Sequence, residues 1–169
     1  DVKVGDPRDS RTVIGPLVSD AQYDKVQNLI KTGIDEGAKL LTGGMGKPDG
    51  LNNGYFSKPT VFCNVSNNMA IARQEIFGPV LSMITYQNID DAVAIANDSD
   101  YGLAAYVSGV KIERLKEIAR RLRAGQVHLN YGSAGADAPF GGYKQSGNGR
   151  EKAEWGFEEF LEVKAIMGG

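Results

Sequence analysis

The side chain best placed to bind a ligand is the carboxylate of Glu75, in the stretch Gln-Glu-Ile-Phe-Gly-Pro-Val at residues 74–80. The Gly78-Pro79 pair ends any preceding helix and forces an extended or turn conformation, and strand-forming residues follow it. A residue just before such a turn lies at the tip of a sheet, where ligands commonly bind. Glu75 is therefore a candidate ligand contact. The alternative is a solvated turn residue, with Phe77 in the core.

Residue types that usually carry catalysis are scarce in the rest of the chain. The sequence has one cysteine, Cys63, and one histidine, His128, each in a strand-like run. Cys63 has no neighbour in sequence that would activate its thiol, so we expect it to be buried and inert. His128 has no carboxylate within sequence reach, and we interpret it as structural. A single cysteine and a single histidine argue against a zinc site, so we expect no metal ligand, and no nucleophile–base pair or pair of carboxylates can be assembled by spacing.

Composition excludes several classes of function. The chain has 169 residues, 41% hydrophobic and 24% charged, with a formal net charge of −2. These values are typical of a globular domain, and they leave no basic surface for nucleic acid or an anionic membrane. No apolar run approaches membrane-span length and no signal peptide is visible, so we expect a cytoplasmic location. Because the chain starts with Asp1 rather than Met, we also expect a piece of a longer protein.

Helical periodicity predicts four main helices, over residues 20–36, 88–98, 111–123 and 151–160. The first carries clear boundary signals: Ser19 as N-cap with Gln22 as its capping-box partner, and Gly37 as C-cap. Gly125 is predicted to cap the third helix, and Gly156 to break the fourth. All other boundaries rest on the apolar pattern alone.

Strand-type runs occupy residues 39–42, 55–62, 80–86, 103–108, 126–130 and 161–167. Pro59 restricts the second run to an edge or interrupted strand, because proline cannot donate to a ladder. The near-continuous apolar run at 80–86 suits a strand buried on both faces of a parallel sheet. Since strands and helices alternate from 80 to 130, the sequence predicts right-handed parallel crossover units and an α/β fold class.

Small residues dominate a long loop at 131–150, which contains Pro-Phe-Gly-Gly and Ser-Gly-Asn-Gly. A loop of this length inside a compact domain is usually functional. Its glycines form neither a dinucleotide fingerprint nor a P-loop, because they do not follow a strand directly at the required spacing. The residues alone therefore indicate an α/β domain with a turn carboxylate and a small-residue loop, without a complete active site.

Taken in order, short phrases along almost the whole chain resemble the C-terminal part of the NAD(P)-dependent aldehyde dehydrogenase family. Any one phrase is weakly specific, and the ordered series is strongly specific. The phrases are Val4-Gly5-Asp6-Pro7, Gly15-Pro16-Leu17, Glu36-Gly37-Ala38, Gly54-Tyr55-Phe56, Pro59-Thr60-Val61, the stretch 74–80, Ala96-Asn97, Tyr101-Gly102-Leu103-Ala104-Ala105, the stretch 139–147 and Gly149-Arg150-Glu151.

The resemblance implies a parallel-sheet segment of the aldehyde dehydrogenase catalytic domain over residues 1–160, followed by an oligomerisation strand over 161–169. That strand pairs across subunits in the family, so a homo-oligomer, a dimer or tetramer, is expected. The implied substrate is a small-molecule aldehyde, oxidised to an acid. The implied cofactor is NAD or NADP, held mainly by a domain that maps upstream of Asp1.

The resemblance also assigns residues. Glu75 matches a carboxylate that accepts hydrogen bonds from both hydroxyls of the nicotinamide ribose, and Phe77 matches an aromatic that packs beside the nicotinamide. Phe140 matches a residue lining the aldehyde pocket, which the loop 131–139 shapes. The nucleophilic cysteine, the general-base glutamate and the side-chain oxyanion donor map upstream, and Cys63 does not match the nucleophile's context. The chain alone is therefore expected to be inactive.

Two positions depart from the family pattern. Gln74 stands where the family usually has a second acid, which leaves Glu75 intact. Residues 131–139 are mostly Gly, Ala and Ser where many relatives carry aromatics, and this predicts a roomy aldehyde pocket. Two other functions stay open: a natural non-catalytic domain that pairs with partner subunits, and a reductase that acts on an acyl substrate.

Overall fold

The computed structural model describes residues 2–168, which divide into two compact units on either side of the Thr85–Tyr86 bond. Asp1 and Gly169, the end residues of the predicted segments 1–160 and 161–169, lie outside the described residues. Within that range, no helix combines the length and apolar content that a membrane crossing requires.

The first unit is built on helix α1, Asp20–Asp35, and both of its predicted caps are confirmed. The Ser19 hydroxyl accepts a hydrogen bond from the Gln22 backbone N–H at 3.2 Å. At the other end Gly37 has a φ of 92°, and its N–H donates to the Ile34 carbonyl. Ala38 N–H donates to the Gly33 carbonyl, which completes a Schellman motif.

Three strands form the sheet of the first unit in the order β1 (Lys39–Thr42), β2 (Thr60–Cys63), β3 (Val80–Ser82). Strand β2 pairs antiparallel with β1 and parallel with β3. The sequence predicted an edge or interrupted strand over 55–62, and the edge position is wrong because β2 is central. Its ladder starts at Thr60, immediately after Pro59, whose nitrogen has no hydrogen to donate.

Strand β3 is shorter and more exposed than predicted. It covers residues 80–82 rather than 80–86, and Leu81 is 57% exposed. The prediction of burial on both faces is therefore wrong for this chain. Within the described residues β3 pairs with β2 alone, so its other edge has no strand beside it.

The core of the first unit lies between α1 and the sheet. Val26, Ile30 and Phe62 are completely buried. A short helix, α2 (Ala70–Arg73), adds Ile71, and the loop before β3 adds Ile76. This cluster fixes the loop that carries Glu75 directly onto the core.

The second unit contains a parallel pair of strands, β4 (Ala104–Val107) and β5 (Gln126–Leu129). Helix α3 (Ile89–Asn97), capped by the Asn88 side chain, precedes them, and helix α4 (Ile112–Ala119) connects them. This pairing confirms one of the predicted parallel crossover units, β4-α4-β5, whereas the predicted unit from β3 through α3 to β4 is wrong because β3 and β4 belong to different sheets.

Two glycine predictions in the second unit are wrong. Helix α4 ends at Ala119, so Gly125 does not cap it. A Cβ at Gly125 would lie 1.7 Å from the Gly141 carbonyl oxygen, so this glycine allows two backbones to approach closely. Helix α5 (Ala153–Glu158) runs through Gly156, which is buried and does not break it.

The C-terminal residues 161–168 form no helix or strand, although a strand was predicted over 161–167. Val163, Ile166 and Met167 are each at least 89% exposed. An extended apolar segment becomes a strand only where another strand offers hydrogen bonds, and the described residues offer none here. Pairing of this segment across subunits stays a prediction.

Candidate functional site

The loop between α2 and β3 alternates exposed and buried side chains. Glu75 is exposed, Ile76 is only 8% exposed and belongs to the core, and Phe77 is 70% exposed. The alternative in which Phe77 is a core residue is therefore wrong for this chain, since Ile76 takes that place. Phe77 has a φ of 54°, in the left-handed region that side chains rarely adopt.

Two polar side chains of α1 hold the backbone of this loop. The Gln22 side-chain amide donates to the carbonyls of Ile76 at 2.8 Å and Phe77 at 3.1 Å. The Lys25 ammonium donates to the Glu75 carbonyl at 2.7 Å and lies 5.5 Å from the centre of the Phe77 ring. Consecutive carbonyls of residues 75–77 are thus bound to one helix.

The predicted capping box is only half present. Gln22 supplies its backbone N–H to Ser19, but its side chain bonds to the loop rather than back to the helix start. The sequence pattern did not identify Gln22 and Lys25 as residues that support the site. Their spacing of three places them on the same helix face, but their partners lie 50 to 55 positions away in the chain.

Close packing fixes the end of the same loop. A Cβ on Gly78 would lie 2.5 Å from the Val26 side chain, so the chain passes against α1 where only glycine fits. Pro79 then leads into β3, and its carbonyl accepts a hydrogen bond from Thr60 N–H at 2.8 Å. The loop is therefore held at its start, its middle and its end.

The arrangement leaves the Glu75 carboxylate available. Across the described residues, no side chain or backbone group pairs with its two oxygens, while the backbone that carries it is fixed. The Phe77 ring stands exposed two residues on. Two free acceptors next to a flat apolar ring suit a ligand with two adjacent hydroxyls and a planar ring.

Phe140, the other predicted site residue, lies in the second unit and is half-buried. Its backbone exchanges two hydrogen bonds with Glu151, at 2.8 and 2.7 Å. The Lys152 ammonium lies 5.4 Å from the centre of its ring. Phe140 lines an open cavity of about 690 Å³ together with residues of the segments 141–142, 146–152 and 156–160.

The loop 131–139 lines a different cavity, of about 380 Å³, formed with strand β5. Phe140 is not among its lining residues. The two predicted parts of the aldehyde pocket therefore face separate cavities in this chain, although they are adjacent in sequence.

His128 and Cys63 are each only half-buried. The His128 ring stacks on Tyr106 with centroids 4.8 Å apart, and its Nδ1 lies 2.7 Å from the Gly132 carbonyl oxygen. Cys63 is half-buried at the end of β2, so the expectation of full burial is wrong. Within residues 2–168, no group of three or more His, Cys, Asp or Glu side chains is arranged to hold a metal ion.

Comparison with known proteins identifies the family. Residues 1–166 match the aldehyde dehydrogenase family. The chain is 57% identical to 3-succinoylsemialdehyde-pyridine dehydrogenase of a Pseudomonas species, over 99% of this chain and 35% of that protein. The chain therefore spans about a third of the length of the curated relatives it matches.

Solved structures agree in fold. A mutant of aldehyde dehydrogenase C from Pseudomonas syringae, crystallised with NAD+ and octanal, superposes with a TM-score of 0.94 at 56% identity, covering 98% of this chain and 34% of that one. An aldehyde dehydrogenase of Mycobacterium tuberculosis with NAD+ gives 0.91 at 48% identity, covering 94% and 33%. The predicted α/β segment of the aldehyde dehydrogenase fold is thereby confirmed, and the chain belongs to the aldehyde dehydrogenase family.

Proposed function

We propose that this chain is part of an enzyme that oxidises an aldehyde to a carboxylic acid with NAD+ or NADP+. Glu75 and Phe77 are its contacts to the nicotinamide end of the cofactor. The observation that carries the proposal is the exposed Glu75 carboxylate, which has no partner among the described residues and stands on a backbone bound to α1. Two family neighbours crystallised with NAD+ support a cofactor of this type.

The residues present fit such a cofactor. A carboxylate offers two acceptor oxygens to the two neighbouring hydroxyls of a ribose, and charge-assisted hydrogen bonds of this kind are strong and directional. The Phe77 ring offers an apolar face to a planar heterocycle. When bound, the cofactor accepts a hydride from the substrate carbon. The task of Glu75 is to orient the ribose, and the task of Phe77 is to exclude water from one side of the ring.

The covalent chemistry belongs to the rest of the protein. A cysteine thiolate that forms a thioester, a general base and an oxyanion donor are needed for aldehyde oxidation, and we assign all three to residues outside this chain. Cys63 is not assigned as the nucleophile, because it lies at the end of β2 after the Pro-Thr-Val phrase, which does not match the context of the family's nucleophile. We therefore expect that residues 1–169 alone produce no NADH from any aldehyde.

Phe140 and the loop 131–139 line separate cavities in this chain, and we propose that both bound the aldehyde in the full-length enzyme. The small side chains of this loop favour a roomy pocket, and two relatives support bulky or long substrates: one is named a 3-succinoylsemialdehyde-pyridine dehydrogenase and the other is crystallised with octanal. On this proposal the full-length enzyme prefers octanal to acetaldehyde in kcat/KM. A strong preference for acetaldehyde would contradict the roomy pocket.

A second candidate function rests on the exposed apolar segment 161–167. Val163 and Ile166 are 100% and 90% exposed, which favours burial against a partner subunit. In a non-catalytic role the chain would pair with other subunits and would not serve oxidation. Sedimentation of the full-length protein shows whether it is a dimer or tetramer. Aldehyde turnover by that protein then decides between aldehyde oxidation and a non-catalytic pairing role.

The cofactor proposal is tested by Glu75→Gln in the full-length enzyme. Losing charge-assisted hydrogen bonds to two hydroxyls is expected to raise the KM for NAD+ by about tenfold or more. Gln74→Ala is the matched control, because this neighbour is exposed and carries no assigned role. An unchanged KM in Glu75→Gln, or an equal rise in both variants, would overturn the assignment.

A further inference from the structure

Two side chains on one face of β5 reach the two ends of the loop 131–139. Gln126 and His128 are two residues apart in a strand, so they project from the same face. His128 Nδ1 lies 2.7 Å from the Gly132 carbonyl oxygen at the start of the loop. The Gln126 amide lies 3.4 Å from the Pro139 carbonyl oxygen at its end. The first contact is short and the second is long, so His128 is the stronger tether.

The His128 ring is itself held in place. Tyr106 is its register partner on β4, and the two rings stack at 4.8 Å with an angle of 16° between their planes. Tyr131, the first residue of the loop, lies 6.5 Å from the Tyr106 ring. Since a carbonyl only accepts, Nδ1 must carry the hydrogen, and this fixes the tautomer of the neutral ring.

The turn between β5 and the loop is fixed as well. The Asn130 side chain accepts from Gly109 N–H at 2.9 Å and donates to the Gly109 carbonyl at 3.1 Å. Asn130 and Tyr131 have φ values of 48° and 60°, so the chain reverses here through two left-handed residues. Within the loop, residues 131–137 are all exposed. Burial within this chain therefore does not determine the course of the loop, which depends on the contacts at its ends and on a turn in which Ala138 N–H donates to the Gly135 carbonyl.

We propose that His128, assisted by Gln126, is a positioning residue that sets the aldehyde preference of the enzyme by holding the loop 131–139 above β5. The inference rests on the proposed function, in which this loop shapes the aldehyde pocket. The tethers hold open the cavity of about 380 Å³ that His128 and Gln126 line together with Gly132, Ser133, Ala134 and Ala138. Without the hydrogen bonds from His128 and Gln126, the loop adopts many backbone conformations. A bulky aldehyde must then order the loop on binding, which costs conformational entropy.

The test uses the full-length enzyme and two variants of one residue. His128→Phe keeps a ring to stack on Tyr106 and removes the Nδ1 donor. His128→Asn loses the stack and keeps an N–H donor near the position of Nδ1. We expect His128→Phe to raise the KM for octanal about threefold to tenfold, the worth of one hydrogen bond, and to leave the KM for acetaldehyde and for NAD+ within twofold. His128→Asn is expected to recover most of the octanal KM.

Hydrogen exchange of the backbone amides 132–138 is measured on the same proteins without substrate. It shows whether a negative result concerns the tether itself or its role in aldehyde specificity. Faster exchange in His128→Phe than in wild type, with the octanal shift, supports the proposal. Unchanged exchange overturns the tether, and faster exchange without any change in aldehyde preference overturns its role in specificity. If wild-type enzyme oxidises no aldehyde, the proposed function itself fails, and the exchange data still decide whether the tether exists. Gln126→Leu, expected to show a smaller effect in the same direction, serves if His128→Phe does not fold.

Discussion

The loops 74–79 and 131–139 carry the proposed cofactor and aldehyde contacts, and they are built in different ways. In the first loop a core residue, Ile76, separates two exposed side chains, and helix α1 binds the carbonyls of residues 75–77. In the second loop no side chain of residues 131–137 is buried, the two side-chain hydrogen bonds from β5 reach its ends, and its middle holds a turn in which Ala138 N–H donates to the Gly135 carbonyl. A contact to an invariant ligand benefits from a rigid backbone, whereas a contact to variable substrates requires only fixed ends.

The two units show the same difference in their cores. The first unit has a contiguous cluster of buried apolar residues, from Val26 on α1 to Ile76 on the loop. Within the described part of the second unit, the buried apolar side chains are Val93 and Leu115. Substitutions in the two loops should therefore differ in what they damage: stability in the first, and substrate preference in the second.

The largest expected effect comes from Ile76→Ala. Removing a buried side chain from a packed core costs about 2–5 kcal/mol, so the thermal midpoint of the full-length protein should fall by several degrees. Ala134→Ser is the matched change in the other loop, and it should cost less than about 0.5 kcal/mol because residue 134 is exposed. Equal midpoints for the two variants, measured by scanning calorimetry, would remove the contrast between the loops.

Gly78→Ala should have the next largest effect. The added methyl meets Val26 at 2.5 Å, and overpacking of this kind costs about 1–3 kcal/mol. Gly15→Ala is the control, because a Cβ there meets only Pro7, at an ordinary contact distance of 3.8 Å. Urea unfolding followed by circular dichroism should show a loss of stability for the first variant and little change for the second.

Gln22→Leu tests how the first loop is held. Two hydrogen bonds to backbone carbonyls are lost, so the KM for NAD+ should rise by about threefold to tenfold with little change in the thermal midpoint. The rise should disappear when Glu75→Gln is already present, because Gln22 is expected to act through the position of Glu75. Additive effects in the double variant would mean that Gln22 contributes in some other way.

The smallest expected effect concerns a surface ion pair that belongs to neither loop. Arg8, which bonds to Asp6 through its side chain and backbone, lowers the pKa of Asp6 to about 2. A lowered folded-state pKa adds stability above the unfolded value near 4 and loses it as the pH falls towards 2. Asp6→Asn should therefore change the acid unfolding curve slightly between pH 4 and 2. Near pH 7 the shift in thermal midpoint should be small, because the pair is exposed.

Local signals predicted the parts of the fold that short-range physics determines. The caps of α1 at Ser19 and Gly37 and the crossover from β4 to β5 were correct, since capping and periodicity act over a few residues. The position of Glu75 at a turn before a strand also followed from the Gly78-Pro79 pair. Its role as a cofactor contact rested on family resemblance and stays a prediction.

Features that depend on distant partners were missed or misread. Gln22 fitted a capping box by position, while its side chain bonds to a loop more than fifty residues away. The apolar run at 80–86 showed that a surface is suited to burial, but not which part of the protein covers it. Gly125 looked like a helix cap, and its true constraint is the backbone of Gly141.

The contact between Gly125 and Gly141 has a consequence for how the segment between them tolerates substitution. A Cβ at Gly125 would lie 1.7 Å from the Gly141 carbonyl oxygen, so the two ends of the segment 126–140 meet at a distance that leaves no room for a side chain at Gly125. The residues between these two glycines are therefore bounded on both sides. The exposed residues in the middle can be substituted without disturbing the backbone on either side. On the proposed role of this loop, replacements at 131–138 that leave both glycines in place would alter the aldehyde preference at little cost in folding.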